Sequence, residues 1–176
     1  GKTRLINALQ YLLIIDRRVM NFGAHDADKS RRFHFPHHSP YILLEVPLPD
    51  TGPVVLGCVG KGVSFAYEYF AYAGPLHVDE YRLPGGELVA QPQLAAHLAT
   101  HERRVFSYSG SEFADMIYGG RNRKATSELD LCVFRLEHAS DAASFQRVLT
   151  HTLKLDRLTS ADVKKNLLQI FRRDLP

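Results

Sequence analysis

The chain has 176 residues, 45% of them apolar and 23% charged, with a formal net charge of only +3. This is the balance of a globular domain, and a chain of this length hides roughly 70% of the surface that it exposes when unfolded. So small a net charge does not by itself announce a nucleic-acid partner, and any such case must rest on local clusters. The two cysteines, Cys58 and Cys132, have no CxxC or Cys/His metal spacing around them, which predicts buried thiols in a reducing compartment. The apolar run from Tyr11 to Ile15 is far too short to cross a bilayer, and no signal-peptide pattern is present. A cytoplasmic protein with no membrane partner is expected. The opening Gly-Lys-Thr without a Met reads as a fragment of a longer protein.

In chain order, residues 3–15 read as a helix, with Leu5, Leu9, Leu12 and Leu13 on one face and Ile6 beside them. Residues 16–39 are polar, basic and His-rich, with Gly23 and Pro36 as breakers, and read as an exposed loop. Residues 40–83 read as antiparallel strands. Tyr41 to Val46 and Val54 to Val59 flank a turn dense in Pro and Gly, Phe65 to Tyr72 fits a third strand, and His77 to Leu83 fits a fourth, closed by the turn Pro84-Gly85-Gly86-Glu87. Residues 91–176 read as a mainly helical segment. A helix is expected over 91–104 with Leu94, Leu98 and His101 on one face, and a short one over 111–118 capped by Ser111 and ended by Gly119-Gly120. Residues 127–136 are compatible with strand or helix. A helix over about 142–154 is capped by Ser140 or Asp141, and a last one is capped by Ser160.

The opening tripeptide carries chemistry. Gly1, Lys2 and Thr3 match the end of the phosphate loop G-x-x-x-x-G-K-[ST]. In that loop glycines let backbone N–H groups wrap phosphates, the Lys reaches the terminal phosphates, and the hydroxyl joins a Mg²⁺ shell. The helix that follows directs its positive end at the same anions. The tripeptide alone would arise by chance in about one chain in ten of this length. What raises its weight is the apolar helix directly behind it. The reading is therefore a nucleotide site for ATP and Mg²⁺ at Gly1, Lys2, Thr3 and Arg4, with Lys2 catalytic and Thr3 the metal contact.

With these residues in place, the chain resembles the N-terminal ATPase head lobe of SMC-like proteins of the MukB/MksB/JetC type. The resemblance rests on Gly1-Lys2-Thr3-Arg4-Leu5-Ile6-Asn7-Ala8-Leu9-Gln10, on Lys29-Ser30-Arg31-Arg32 leading to Ser39-Pro40-Tyr41-Ile42-Leu43-Leu44-Glu45-Val46, and on Ala143 to Leu149 with the end Phe171-Arg172-Arg173-Asp174-Leu175-Pro176. It implies an α+β fold: an ABC-type P-loop NTPase half-head with an antiparallel β subsheet followed by helices, leading toward a coiled coil. It implies an ATPase completed by a C-terminal lobe and a second copy of the head, kleisin-type and accessory subunits, and double-stranded DNA as substrate. The implied work is chromosome condensation or anti-plasmid defence. A RecF-like repair ATPase and a non-catalytic interaction module are the alternatives. One feature of such heads, a Gln that contacts Mg²⁺ at the start of the helical segment, has no clear counterpart near 105–111; Gln91 and Gln93 lie earlier.

Four basic clusters remain: Arg17-Arg18; Lys29 with Arg31 and Arg32; Arg121, Arg123 and Lys124; and Arg172-Arg173. Taken singly, each reads as a solvated face. The resemblance favours the second and third as sequence-independent contacts to DNA phosphates. His34, His37 and His38 flank Pro36, and a solvated basic loop fits them better than a metal site. The aromatics Phe65, Tyr67, Tyr69 and Tyr72 could stack bases, but packing in a sheet fits them better.

Overall fold

The structure is a computed structural model that describes residues 2–18, 20, 22, 27–48 and 52–118. The chain divides into two compact units, Gly1–Ala24 with Ala114–Pro176 and His25–Phe113. The expectations for 119–176, including Arg121, Arg123, Lys124, Cys132 and the helices after 142, lie outside the described residues.

In the first unit, helix α1 runs from Lys2 to Leu13. Leu9, Leu12 and Leu13 are buried as their spacing predicts, but Leu5 is 57% exposed. The buried face is instead widened by Tyr11 and Ile14, so the apolar stripe starts one turn later than the sequence suggests. The helix ends where the N–H groups of Ile14 and Ile15 both bond the Gln10 carbonyl. Ile15 then turns the chain at φ 70°, a left-handed conformation that a β-branched residue adopts only under constraint. Tyr11 stacks on Phe22 with centroids 5.8 Å apart, and the Tyr118 hydroxyl donates to the Leu13 carbonyl at the end of α1.

In the second unit, helix α2 (Ala27–His34) replaces the loop expected over 16–39. Its sequence logic is electrostatic. Asp28 sits three and four residues before Arg31 and Arg32, the helical spacing for ion pairs. The acid in the first turn and the bases in the last also complement the helix dipole.

Strands β1 (Tyr41–Leu48), β2 (Gly52–Gly60), β3 (Tyr67–Ala73) and β4 (Phe106–Tyr108) form an antiparallel sheet in chain order. The register pairs Leu44 with Leu56, Leu56 with Ala71, and Phe70 with Ser107. Residues 54–60 of β2 are all buried, so β2 reads as a continuous apolar run rather than an alternating one. On one face Val55, Val59, Phe70 and Tyr72 join Tyr81, Leu94 and Leu98 in a core. The opposite face carries Val54, Leu56, Cys58, Tyr69 and Ala71, which are buried as well.

Three expected elements change form. The third strand begins at Tyr67, because Ser64 and Phe65 take φ of 50° and 55° and cannot extend a ladder. Residues 77–83 are not a strand but contain a 3-10 turn, Val78–Tyr81, and their one bridge pairs Arg82 with Leu88. The helix expected over 91–104 is a 3-10 turn, Gln91–Gln93, followed by helix α3 (Leu94–Ala99). It stops early because the Thr100 hydroxyl takes over the His97 carbonyl, and because Glu102 turns left-handed at φ 62°. Leu94 and Leu98 are buried as expected, while His101 lies beyond the helix and is exposed.

Helix α4 (Gly110–Tyr118) is capped by Ser109 rather than Ser111. The Ser109 hydroxyl accepts from the Glu112 N–H, and the Glu112 carboxylate accepts from the Ser109 N–H. This reciprocal pair satisfies two N–H groups that would otherwise be orphaned.

Candidate functional site

Two places carry the chemistry read from the sequence. The first is the start of α1. Lys2 is the first residue of this 12-residue helix, directly after Gly1, and the first turn contains no acid. A helix start without carboxylates in its own first turn presents N–H groups and a positive dipole end that this turn does not neutralise. The side chains of Lys2, Thr3 and Arg4 lie outside the description. Gln91, considered as a magnesium contact, donates through Nε2 to Glu68 Oε2 at 2.5 Å, and Gln93 is exposed.

The second is the basic cluster on α2. Lys29, Arg31 and Arg32 stand on a helix and not on a loop, so their directions are fixed by its turn. They are not equally available. The Arg31 side chain keeps 25% of its exposure and Arg32 keeps 61%, while Lys29 is exposed. Asp28 binds both guanidiniums, Arg31 Nη2 at 2.6 Å and Arg32 Nε at 3.0 Å. The Arg31 hydrogen bond is the largest cause holding the Asp28 carboxyl below its ordinary range. The expectation that all three charges project freely is thus corrected: Arg31 is largely covered, and its buried Nε has no partner among the described residues.

Other stretches close on this cluster. The loop at 61–66 that joins β2 to β3 is fixed at its base by Lys61 N–H to the Ala66 carbonyl (2.8 Å) and Ala66 N–H to the Val63 carbonyl (2.8 Å). Within it, Ser64 and Phe65 occupy left-handed conformations that cost about 1–3 kcal/mol each. The Phe65 ring lies under the Arg32 guanidinium, 5.3 Å from carbon to centroid, a cation–π contact that offsets part of that cost. Residues 36–40 lie against the same loop. Gly60 N–H bonds the Pro40 carbonyl at 3.1 Å, and a side chain at Gly62 would meet His38 Cβ at 3.0 Å. The tip is open: Lys61, Gly62, Val63 and Ser64 are exposed, Val63 to 69%.

The histidines divide by environment. Burial pushes the His34 imidazole below its ordinary pKa. His37 Nδ1 accepts the Ser39 N–H at 3.2 Å. Among the described residues no group of three or more His, Cys, Asp or Glu side chains could hold a metal ion. Arg18, read as part of a solvated face, binds Asp16 at 2.9 Å in solvent.

The aromatic series packs as a sheet does. Tyr69 is buried and stacks on Phe113 at 4.5 Å. Tyr72 is buried and shares a 2.7 Å hydroxyl–hydroxyl bond with Tyr81. Tyr67 stacks on Phe35 at 4.6 Å. Burial raises the phenols of Tyr41, Tyr72 and Tyr81, so they stay neutral hydrogen-bonding groups. The thiol of Cys58 is likewise pushed up, first by burial and then by the Glu68 charge, and stays an unreactive apolar group.

Sequence reasoning overlooked two features here. The Ser109-x-x-Glu112 spacing was available as a capping signature. Lys61, alone between two glycines, gives no cluster to notice, and only folding brings its loop, through Phe65, against Arg32 of α2.

No helix among the described residues is long and apolar enough to cross a membrane. No curated protein and no solved structure matches the chain. A family model does, over residues 1–176, and its description is "Putative Mks condensin complex protein MksF". With the match spanning its full length, the chain belongs to this MksF family of condensin-complex proteins, related to the MukB/MksB group.

Proposed function

We propose that the chain is an ABC-type P-loop half-head that binds ATP and contributes to ATP-driven DNA organisation by a condensin-like complex. The observation that carries the reading is the start of α1: the helix begins at Lys2 immediately after Gly1, without an acid in its first turn. The antiparallel meander that follows along the chain supports it, as does the family.

In this reading the first-turn N–H groups receive the phosphates, the Lys2 ammonium contacts the terminal ones, and Arg4 adds positive potential beside them. The Thr3 hydroxyl joins the shell of a Mg²⁺ ion, which supplies charge neutralisation as the terminal phosphoryl group leaves. Hydrolysis requires a C-terminal lobe and a second head, so ATP would join two copies of the chain, with kleisin-type and accessory subunits assembled on them. The exposed cations of α2, with Arg121, Arg123 and Lys124, contact duplex DNA through its phosphates, independently of sequence.

Nucleotide titration of the full-length protein with Lys2→Ala and Thr3→Ala tests the nucleotide site. Both variants should lose ATP binding while keeping the wild-type circular dichroism spectrum. Wild-type affinity in either one removes the P-loop assignment.

A further inference from the structure

We infer that the loop at 61–66 between β2 and β3 is a second arm of the DNA surface, with Lys61 as a phosphate contact and Phe65 as the residue that positions Arg32. The inference rests on the DNA reading above and adds residues to it.

The argument begins with the strain. Two consecutive residues other than glycine, Ser64 and Phe65, hold positive φ. Gly62 already supplies one left-handed turn at φ 79°, so the loop takes two more from residues that disfavour that conformation. The effect of the two turns is specific. They bring the Phe65 ring back under Arg32 and leave the tip, 61–64, exposed. Phe65 therefore holds a guanidinium that Asp28 already anchors from one side at Nε. Arg32 keeps 61% of its exposure and is held between a carboxylate and a ring, so little side-chain entropy remains to lose when it meets a phosphate.

Lys61 is tied to the same loop through its bond to the Ala66 carbonyl. It is exposed and makes no ion pair among the described residues. Asp28 is already engaged with two arginines, and Glu68, at the start of β3, accepts from Gln91. The positive charge of Lys61 is thus not spent within the described fold. Cations from two separate segments, a helix and a hairpin tip, meet a repeating anionic backbone at more than one phosphate, as duplex DNA requires. An acidic protein surface is the competing occupant.

The experiment is duplex DNA binding by the full-length protein in its assembled complex, measured from 50 to 200 mM salt. Lys61→Glu should weaken binding equally for unrelated sequences and reduce the salt slope by about 0.9, the value of one phosphate contact. Lys61→Arg should restore both, and ATP binding should not change. Phe65→Leu should weaken DNA binding in the wild-type background but have no further effect when combined with Arg32→Ala, which a merely structural role would not produce. Unchanged affinity and slope for Lys61→Glu overturn the inference. Loss of a subunit from the complex with DNA binding intact also overturns it, and assigns the loop to an acidic protein partner. The charge reversal Lys29→Glu/Arg31→Glu/Arg32→Glu separates the two levels. If it weakens binding and Lys61→Glu does not, only the loop inference fails. If neither weakens binding, the DNA reading of this face fails with it.

Discussion

Gly57 should not tolerate even one added methyl group. It lies mid-strand in β2, directly opposite Phe70 in β3, and the Phe70 ring covers the place where a Cβ would stand. Phe70 cannot swing away: it is 1% exposed and packed edge-on to Tyr41 at 6.3 Å, with Tyr72 stacked beside it at 6.5 Å. In an open strand, Gly→Ala gains about 0.5–1 kcal/mol by reducing the entropy of the unfolded chain. Overpacking a filled core costs about 1–3 kcal/mol. At this site the steric cost exceeds the gain, and a net loss of about 1–2 kcal/mol is expected. Hydrogen exchange of the β2 amides in the full-length protein measures this locally. Gly57→Ala should speed exchange at 55–59 by about 5- to 30-fold, as a loss of that size implies. In a Phe70→Leu background the smaller side chain leaves room, and most of the penalty should vanish, a coupling of about 0.5–3 kcal/mol. Equal effects in both backgrounds, or slower exchange in Gly57→Ala alone, would refute the packing argument.

Asp28→Asn removes the anion that occupies Arg31 and Arg32. DNA affinity of the assembled complex should fall, because Arg32 loses the carboxylate that holds it ready for a phosphate; titration at several salt concentrations checks this, and tighter binding would mean that Asp28 only neutralises the cations. Ser109→Ala breaks the reciprocal cap of α4 and should cost about 1 kcal/mol, seen as roughly fivefold faster exchange in the first turns of that helix. The His34 imidazole is held below its ordinary value of 6.5 by burial. The unfolded chain therefore binds the proton more readily, and the His34 contribution to stability is present above about pH 6.5 and declines as the pH falls below it. Replacing His34 with Gln should flatten that dependence in thermal unfolding between pH 7 and 5, and an unchanged slope would mean that another group governs it.

What the sequence disclosed followed the reach of its signals. The first two strands are readable because 41–46 and 54–59 are apolar runs on either side of a Pro/Gly-rich turn, a pattern that leaves few alternatives. Helix α2 was hidden because its stabilisation is electrostatic: only Phe33 and Phe35 are apolar near its end, and hydrophobic periodicity cannot register an Asp28–Arg31–Arg32 triad. Strand β4 has three residues, too few for any period to emerge, and among the described residues it is defined by its pairing with β3. Helix α1 was legible from the spacing of Leu9, Leu12 and Leu13. The composition of the basic face was only half legible, because Lys61 joins it through a hairpin whose left-handed turns at Ser64 and Phe65 are not written in either residue's preference.

The two outer margins of the sheet have a bearing on life inside a large assembly. An unpaired strand margin is a template for pairing with another chain, and copies held together in one complex meet at high local concentration. Among the described residues neither margin is a long, bare template. On one side β4 offers only three residues. On the other, β1 carries Pro47, which has no N–H to donate. The same strand is tethered to the following segment at two points, by Glu45 accepting the Leu76 N–H at 2.7 Å and by the Tyr41 hydroxyl donating to the Val89 carbonyl at 2.5 Å. A sheet bounded in this way offers a neighbouring chain little backbone to pair with.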